Sequence, residues 1–145
     1  MPSINRHVAL MMRMGERFIN RSLAGTGVSS STGLLLLELR DGGDRNPSAL
    51  ALAVGVDKSH VTRSLRALER AGLVSMAPEP GDARMLTVSL TEQGRVAAGQ
   101  VESAMLAWIG LVSDGVTASE LATVEAVFDK FYANGSAYFA GHGDG

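Results

Sequence analysis

The amino-acid sequence predicts a mainly α-helical (α+β) fold with two short strands placed between helices. Apolar residues recur at i, i+4 and i+7 between residues 61 and 68, and this spacing puts them on one face of a helix. After Gly72 the apolar period shortens to about two residues, which is typical of strands. A helix followed directly by a hairpin is the layout of a winged helix-turn-helix with a two-stranded wing.

The first two predicted helices differ in how much of their surface is apolar. The first runs from about Ser3 to Leu23 and carries one long apolar stripe. Gly15 lies in that stripe, and because a mid-helix glycine costs about 1 kcal/mol relative to alanine, we expect a close helix crossing there. The second helix, about residues 32–40, is apolar around most of its circumference. We therefore expect it to be almost enclosed.

Polar residues mark the boundaries of the next elements. Asn46 is predicted to cap a third, short helix, with Pro47 at its first position, where a missing amide costs little. Asp57 is predicted to cap the fourth helix, which ends at Gly72 because glycine enters the left-handed conformation cheaply. Two prolines and a glycine within residues 78–84 are expected to stop both strands and to make the turn of the wing.

The last two helices follow the wing. Thr91 is predicted to cap a helix over about residues 92–112, whose apolar stripe of about 30 Å is too long for one small winged domain to cover. A capping box at Thr117 and Glu120 opens the final helix. This helix is expected to end near residue 133, because Asn-Gly follows.

The domain organisation follows from these stripes. The winged core alone cannot bury the apolar faces of the one N-terminal and two C-terminal helices. We therefore expect a homodimer in which these helices interleave with those of a second copy. The predicted unit is a single chain over residues 1–145, with the winged helix-turn-helix at 30–91 and the dimerisation region at 1–23 and 92–140.

Composition excludes several classes of protein. The 145 residues include no cysteine, which excludes disulfides and thiolate metal sites, and we expect no metal and no cofactor. The longest apolar run, residues 34–37, is far shorter than the roughly 20 residues that cross a bilayer, so we expect a cytoplasmic protein without membrane contact. Common catalytic motifs are absent, and the three histidines lie in different segments. We expect no catalytic residues and no enzyme.

The fourth helix and the wing carry positive charge. With Val61 at the centre of the core face, a serine and three arginines lie within about 40° of the opposite side. These residues are Ser59, Arg63, Arg66 and Arg70. Arg84 lies near the tip of the wing, and the acidic residues that give the chain its net charge of −2 are concentrated in residues 92–145. This distribution favours double-stranded DNA, with the helix in the major groove and the wing arginine in the minor groove.

The wing also carries a recognisable pattern. Residues 82–91, DARMLTVSLT, fit D-x-R-x-x-x-V-x-L-T at every specified position, and residues 55–74 look like the helix that precedes it. This part of the chain resembles the MarR (multiple antibiotic resistance regulator) family of winged helix-turn-helix transcription factors. The resemblance implies a homodimeric repressor that binds a pseudo-palindromic operator and is released by a small aromatic or phenolic effector. Two-fold symmetry predicts half-sites about 10 base pairs apart.

The candidate DNA-contacting residues lie on the fourth helix and the wing. The candidates in the first turns of the fourth helix are expected to reach base edges. The alternative is that they are ordinary solvated surface. His60 either contacts DNA or lies beside the contact. Arg66 and Arg70 lie later on the helix and suit phosphate contacts, whereas Asp82 is expected to hold the wing and to orient an arginine. The full set is Lys58, Ser59, His60, Thr62, Arg63, Arg66, Arg70, Asp82 and Arg84.

An effector site would lie between the dimer helices and the winged core, as the resemblance implies. The candidate lining residues are His7, Met11, Arg13, Met14 and Trp108. Core packing is the favoured alternative for the methionines and Trp108. The competing function for the whole chain is a winged helix used as a protein-interaction module without sequence-specific DNA binding.

Overall fold

The computed structural model describes residues 2–142. Met1 and residues 143–145, the ends of the predicted unit, lie outside the described residues. Within this range the chain forms six helices and a two-stranded antiparallel sheet, which confirms the predicted fold class. The elements are α1 (Pro2–Ser22), α2 (Ser30–Gly42), α3 (Pro47–Val54), α4 (Lys58–Arg70), β1 (Val74–Glu79), β2 (Asp82–Leu90), α5 (Glu92–Val112) and α6 (Ala118–His142).

Side-chain caps define the starts of the helices. Asn46, Asp57 and Thr91 each accept from the amide three residues further on, at 2.8, 2.8 and 3.0 Å, as predicted for α3, α4 and α5. Helix α2 begins two residues earlier than predicted because Ser29 and Thr32 form a capping box around its first turn. The reciprocal bond, from the Ser29 amide to the Thr32 hydroxyl, is 2.9 Å long.

The turn of the wing is shorter than predicted. The prediction that residues 78–84 stop both strands is wrong at both ends, because β1 runs to Glu79 and β2 begins at Asp82. Pro80 and Gly81 alone make the turn, and Gly81 supplies the φ of +92° that it requires.

Pro78 fits inside β1 because its missing amide would face away from β2. The amide of Val88 donates to the Arg45 carbonyl at 2.9 Å, and the Val88 carbonyl accepts from the Arg45 amide at 3.2 Å. Val88 therefore does not bond to Met76, its partner on β1, and the alternation of an antiparallel ladder puts Pro78 in the same non-bonded class. The Arg45 bridge, which the sequence did not predict, adds one residue of a third strand.

One hydrophobic core joins α1, α2, α4, α5 and the base of the wing. Helix α2 crosses α5 so closely that a Cβ added at Gly33 would lie 2.8 Å from a methyl carbon of Val101. The crossing predicted at Gly15 is confirmed, because a Cβ there would lie 2.9 Å from Nε1 of Trp108. The fully enclosed large side chains are Leu23, Leu36, Leu50, Leu65, Leu68, Val61, Val88 and Val101.

Helix α6 is longer than predicted and almost unpacked. It opens with the predicted capping box, in which the Thr117 amide donates to Glu120 at 2.9 Å and the Glu120 amide donates back at 3.1 Å. The predicted end near residue 133 is wrong, because α6 continues through Gly135 to His142. Gly135 does not enter the left-handed region, and a helical glycine weakens a helix by only about 1 kcal/mol. None of the α6 residues is buried within the described chain.

Candidate nucleic-acid interface

Helix α4 is fixed to the core along one face. Val61, Leu65 and Leu68 are essentially inaccessible to solvent, so the helix cannot rotate without exposing them. At its end, the amides of Gly72 and Leu73 donate to carbonyls of the last turn, each at 3.0 Å, with Gly72 at φ +77°. The opposite face of α4 is thereby held towards solvent.

The predicted DNA-contacting residues of α4 occupy that outward face. Lys58 and the predicted serine and arginine stripe are exposed, whereas His60 and Thr62 are half-buried at its edges. The Thr62 hydroxyl donates to the Lys58 carbonyl at 2.9 Å, which leaves its oxygen free to accept a bond. The arginine stripe predicted from helical periodicity is therefore displayed as a single surface.

The wing presents Arg84 in a distorted part of β2. The strand register shifts between Pro78 and Glu79, so residues 83–85 have no partner on β1. The Asp82 carboxylate accepts from the Arg84 amide at 3.0 Å and fixes the backbone at this point. Arg84 is exposed, and Asp82 acts on it through its backbone.

A second carboxylate ties the wing to α4. Oε2 of Glu69, on the last turn of α4, accepts from the Met76 amide of β1 at 3.2 Å. This role of Glu69 was not predicted, because nothing local in the sequence indicates that its side chain reaches a strand amide. This contact fixes the wing relative to the arginine face.

Three cationic side chains meet between α4 and the wing. A cleft of about 130 Å³ is lined by Lys58, Arg66 and Arg84, with Thr62 and Met85 among the other lining residues. None of the ion pairs between residues 2 and 142 involves these cations. Their charges are uncompensated, and the arrangement suits an anionic partner.

Elsewhere in the winged region, arginines are neutralised. Arg40 pairs with Asp41 at 2.8 Å and with Glu102 at 3.0 Å, and Arg45 pairs with Glu38 at 3.3 Å. The hydrogen bond from Arg40 lowers the pKa of Asp41. These pairs connect α2 with its surroundings, so within residues 30–91 the unpaired cations all lie on the α4 face or around the cleft.

The structure does not gather the predicted effector residues around a cavity of one chain. His7, Met11, Arg13 and Met14 are exposed on α1, and Trp108 packs against Phe18 with ring centroids 5.6 Å apart. None of the five lines any of four cavities identified between residues 2 and 142. Over the same range, no group of histidine and carboxylate side chains is arranged to hold a metal, and no helix is sufficiently long and apolar to cross a membrane.

Comparison with curated proteins relates the winged region to transcriptional regulators. The model of the MarR family matches residues 28–86. The chain is 42% identical over 72 residues to the uncharacterized HTH-type transcriptional regulator YdgJ of Bacillus subtilis, covering 50% of this chain and 44% of YdgJ. It is 37% identical over 59 residues to the HTH-type transcriptional repressor NicR of Pseudomonas putida, covering 41% of this chain and 37% of NicR. The chain thus matches less than half the length of either curated relative.

Comparison with solved structures extends the similarity to most of the chain. A cysteine-to-serine mutant of MarR from E. coli, in complex with operator DNA, has a TM-score of 0.78 and is 25% identical. The match covers 89% of this chain and 93% of that chain. Residues 28–86 of this chain thus match the model of the MarR family, and most of the chain shares the winged helix-turn-helix fold of MarR from E. coli.

Proposed function

We propose that this chain is a transcriptional regulator of the MarR type, a homodimeric repressor that binds a pseudo-palindromic operator in double-stranded DNA. The observation that carries the proposal is the convergence of Lys58, Arg66 and Arg84 on one cleft without carboxylate partners. DNA supplies the missing anionic partner, with phosphates for Lys58 and Arg66 and the electronegative minor groove for Arg84, and the exposed Arg63 lies on the same face of α4.

Each predicted contact has a distinct role in this proposal. The start of α4, with Ser59, His60, Thr62 and Arg63, enters the major groove and reads base edges. Arg66 and Arg70 contact phosphates, as does Lys58 beside them, and these contacts set the register on the duplex. Arg84 enters the minor groove, and Asp82 holds the wing backbone that carries it.

Dimerisation is proposed from the apolar surface that the described chain leaves in solvent. Large apolar side chains on α1, α5 and α6 are about half exposed, which is far more than a lone soluble domain usually displays. The most exposed of them are Met12, Val96, Leu106, Leu111, Phe128, Phe131, Tyr132, Tyr138 and Phe139. A second copy covers these faces and places two α4 helices on one duplex.

Repression is supported by the description of NicR as a repressor, and operator binding by the DNA complex of MarR. Release by a small aromatic or phenolic effector stays a prediction. Its proposed lining is His7, Met11, Arg13, Met14 and Trp108, which lie on helices of the proposed dimer region.

Footprinting on the upstream region of its own gene, combined with a salt titration, tests the proposal. We expect two protected half-sites about 10 base pairs apart. Each phosphate contact contributes about 0.9 to the slope of log affinity against log salt, so six contacts in a dimer give a slope of about −5. A protein-interaction module, the competing function, leaves no footprint and shows no such slope.

Replacing Arg84 with alanine is expected to weaken operator binding by about 1–3 kcal/mol, because one minor-groove arginine is lost from each half-site. Gel shifts at fixed salt measure the change. Arg21→Ala is the matched control, since Arg21 is an exposed arginine of α1 outside the cleft. Equal affinities for the two variants would show that the wing arginine lies outside the interface with DNA.

A further inference from the structure

The C-terminal part of α6, including the unexpected residues 134–142, reaches the helix-turn-helix. Helix α6 packs most closely on α3, and its continuation beyond Gly135 brings Phe139 to the turn between α3 and α4. Helix α6, which belongs to the predicted dimerisation region, therefore contacts the segment that leads into α4.

One hydrogen bond makes this contact specific. The Tyr132 hydroxyl donates to the carbonyl of Ala53 at 3.1 Å. That carbonyl lies in the last turn of α3, where carbonyls lack helical partners, and the amides of Gly55 and Val56 both donate to Ala51 instead. Tyr132 thus provides a donor for a carbonyl four residues before Asp57, the cap of α4.

Further along α6, beyond this bond, the boundary with the α3–α4 turn is open. A cavity of about 480 Å³ lies between the end of α6 and the α3–α4 turn, lined by Leu52, Val56 and Phe139 among other residues. Close packing does not fill this boundary, so side chains there do not by themselves prevent α3 and α4 from tilting relative to α6. The bond from Tyr132 is a discrete restraint at the edge of an otherwise loose contact.

We propose that Tyr132 is a positioning residue that sets the orientation of the α3–α4 pair relative to the dimer helices. The inference rests on the proposed function, in which α6 helps to hold the two α4 helices of the dimer at a fixed separation. Tyr132 does not contact DNA in this arrangement. It influences which spacing between half-sites the dimer binds.

Tyr132→Phe tests the proposal with a matched control in Tyr138→Phe. Both variants keep the aromatic ring that the proposed dimer covers and lose only one hydroxyl of α6. The Tyr138 hydroxyl has no hydrogen-bond partner among the described residues, and its ring packs on Phe139 and His142. Binding is measured on the footprinted operator and on operators whose half-site spacing is one base pair longer or shorter. We expect Tyr132→Phe to reduce the preference for the native spacing by about 3- to 10-fold, and Tyr138→Phe to leave it unchanged.

A purely structural role for Tyr132 predicts a different pattern. In that case Tyr132→Phe lowers the melting temperature and lowers the affinity equally for operators of all spacings. That outcome overturns the proposal. An unchanged spacing preference in Tyr132→Phe overturns it as well.

Hydrogen exchange in the DNA-free protein separates this proposal from the proposed function. In Tyr132→Phe the amides of residues 55–57 are expected to exchange faster than in Tyr138→Phe, because the α3–α4 turn is less restrained. Equal exchange rates contradict the positioning role. If the wild-type protein binds no duplex, the repressor proposal fails, and the exchange rates still decide whether Tyr132 restrains the turn.

Discussion

Replacing Gly94 with alanine is expected to lower the free energy of unfolding by about 3 kcal/mol, which is at the upper end for overpacking. The added Cβ would overlap the Leu73 carbonyl oxygen and would lie 2.9 Å from a methyl carbon of Leu90. The carbonyl belongs to the backbone and already accepts from the Thr91 amide at 3.1 Å. It cannot move aside without breaking the bond that joins the start of α5 to the base of the wing.

Urea unfolding at one fixed protein concentration measures this loss, because the stability of a dimer depends on concentration. Gln93→Ala is the control, since Gln93 is the exposed neighbour of Gly94 on the same turn. Surface changes of this kind stay within about 0.5 kcal/mol. A loss below 1 kcal/mol in Gly94→Ala would mean that α5 can shift away from β1.

Replacing Phe128 with glutamate is expected to abolish dimerisation and to weaken operator binding by at least about 100-fold. Phe128 is 50% exposed in the described chain and packs edge-on against Phe131, with ring centroids 5.7 Å apart. In the proposed dimer both rings are covered, so a carboxylate at this position loses its hydration without gaining a partner. A monomer then binds one half-site and loses the gain that comes from binding two.

Analytical ultracentrifugation and gel shifts measure the two effects together. Ser119→Glu adds the same charge to α6 at an exposed position about 180° around the helix from Phe128. This control is expected to remain dimeric and to bind the operator normally. A dimeric Phe128→Glu variant would show that the apolar face of α6 lies outside the dimer interface.

Local chemistry explains which parts of the fold were predictable. The predicted starts of α3, α4 and α5 are confirmed because Asn46, Asp57 and Thr91 each accept a first-turn amide, an interaction contained within four residues. The end of α4 is confirmed for the same reason, since Gly72 adopts the predicted left-handed conformation.

The wrong boundaries depend on contacts that are distant in sequence. Proline usually interrupts a strand because it has no amide to donate. Val88 bonds to Arg45 and not to Met76, so Pro78 lies at a position of β1 whose amide would face away from β2. Gly135 resembles a helix stop, but a glycine ends a helix only when its backbone turns left-handed, and here it does not. Neither outcome follows from a local window of sequence.

The candidate DNA-binding surface was partly predictable. Helical periodicity predicted the outward arginine face of α4, because the same repeat that buries Val61 exposes residues on the opposite side. It did not predict that Glu69 reaches the amide of Met76, which is a contact between elements. The effector site stays a prediction, since the predicted crevice lies between helices that the proposed dimer shares.

The free edge of β1 has a consequence for solubility. An unpaired strand edge with available amides recruits other strands and leads to edge-to-edge aggregation. Here the outward amide of Met76 is occupied by Glu69, and Pro78, the next outward position, has no amide to offer. This edge therefore offers few free amides to strands of other molecules. A Glu69→Ala variant frees the Met76 amide, so we expect it to form β-rich aggregates sooner on heating.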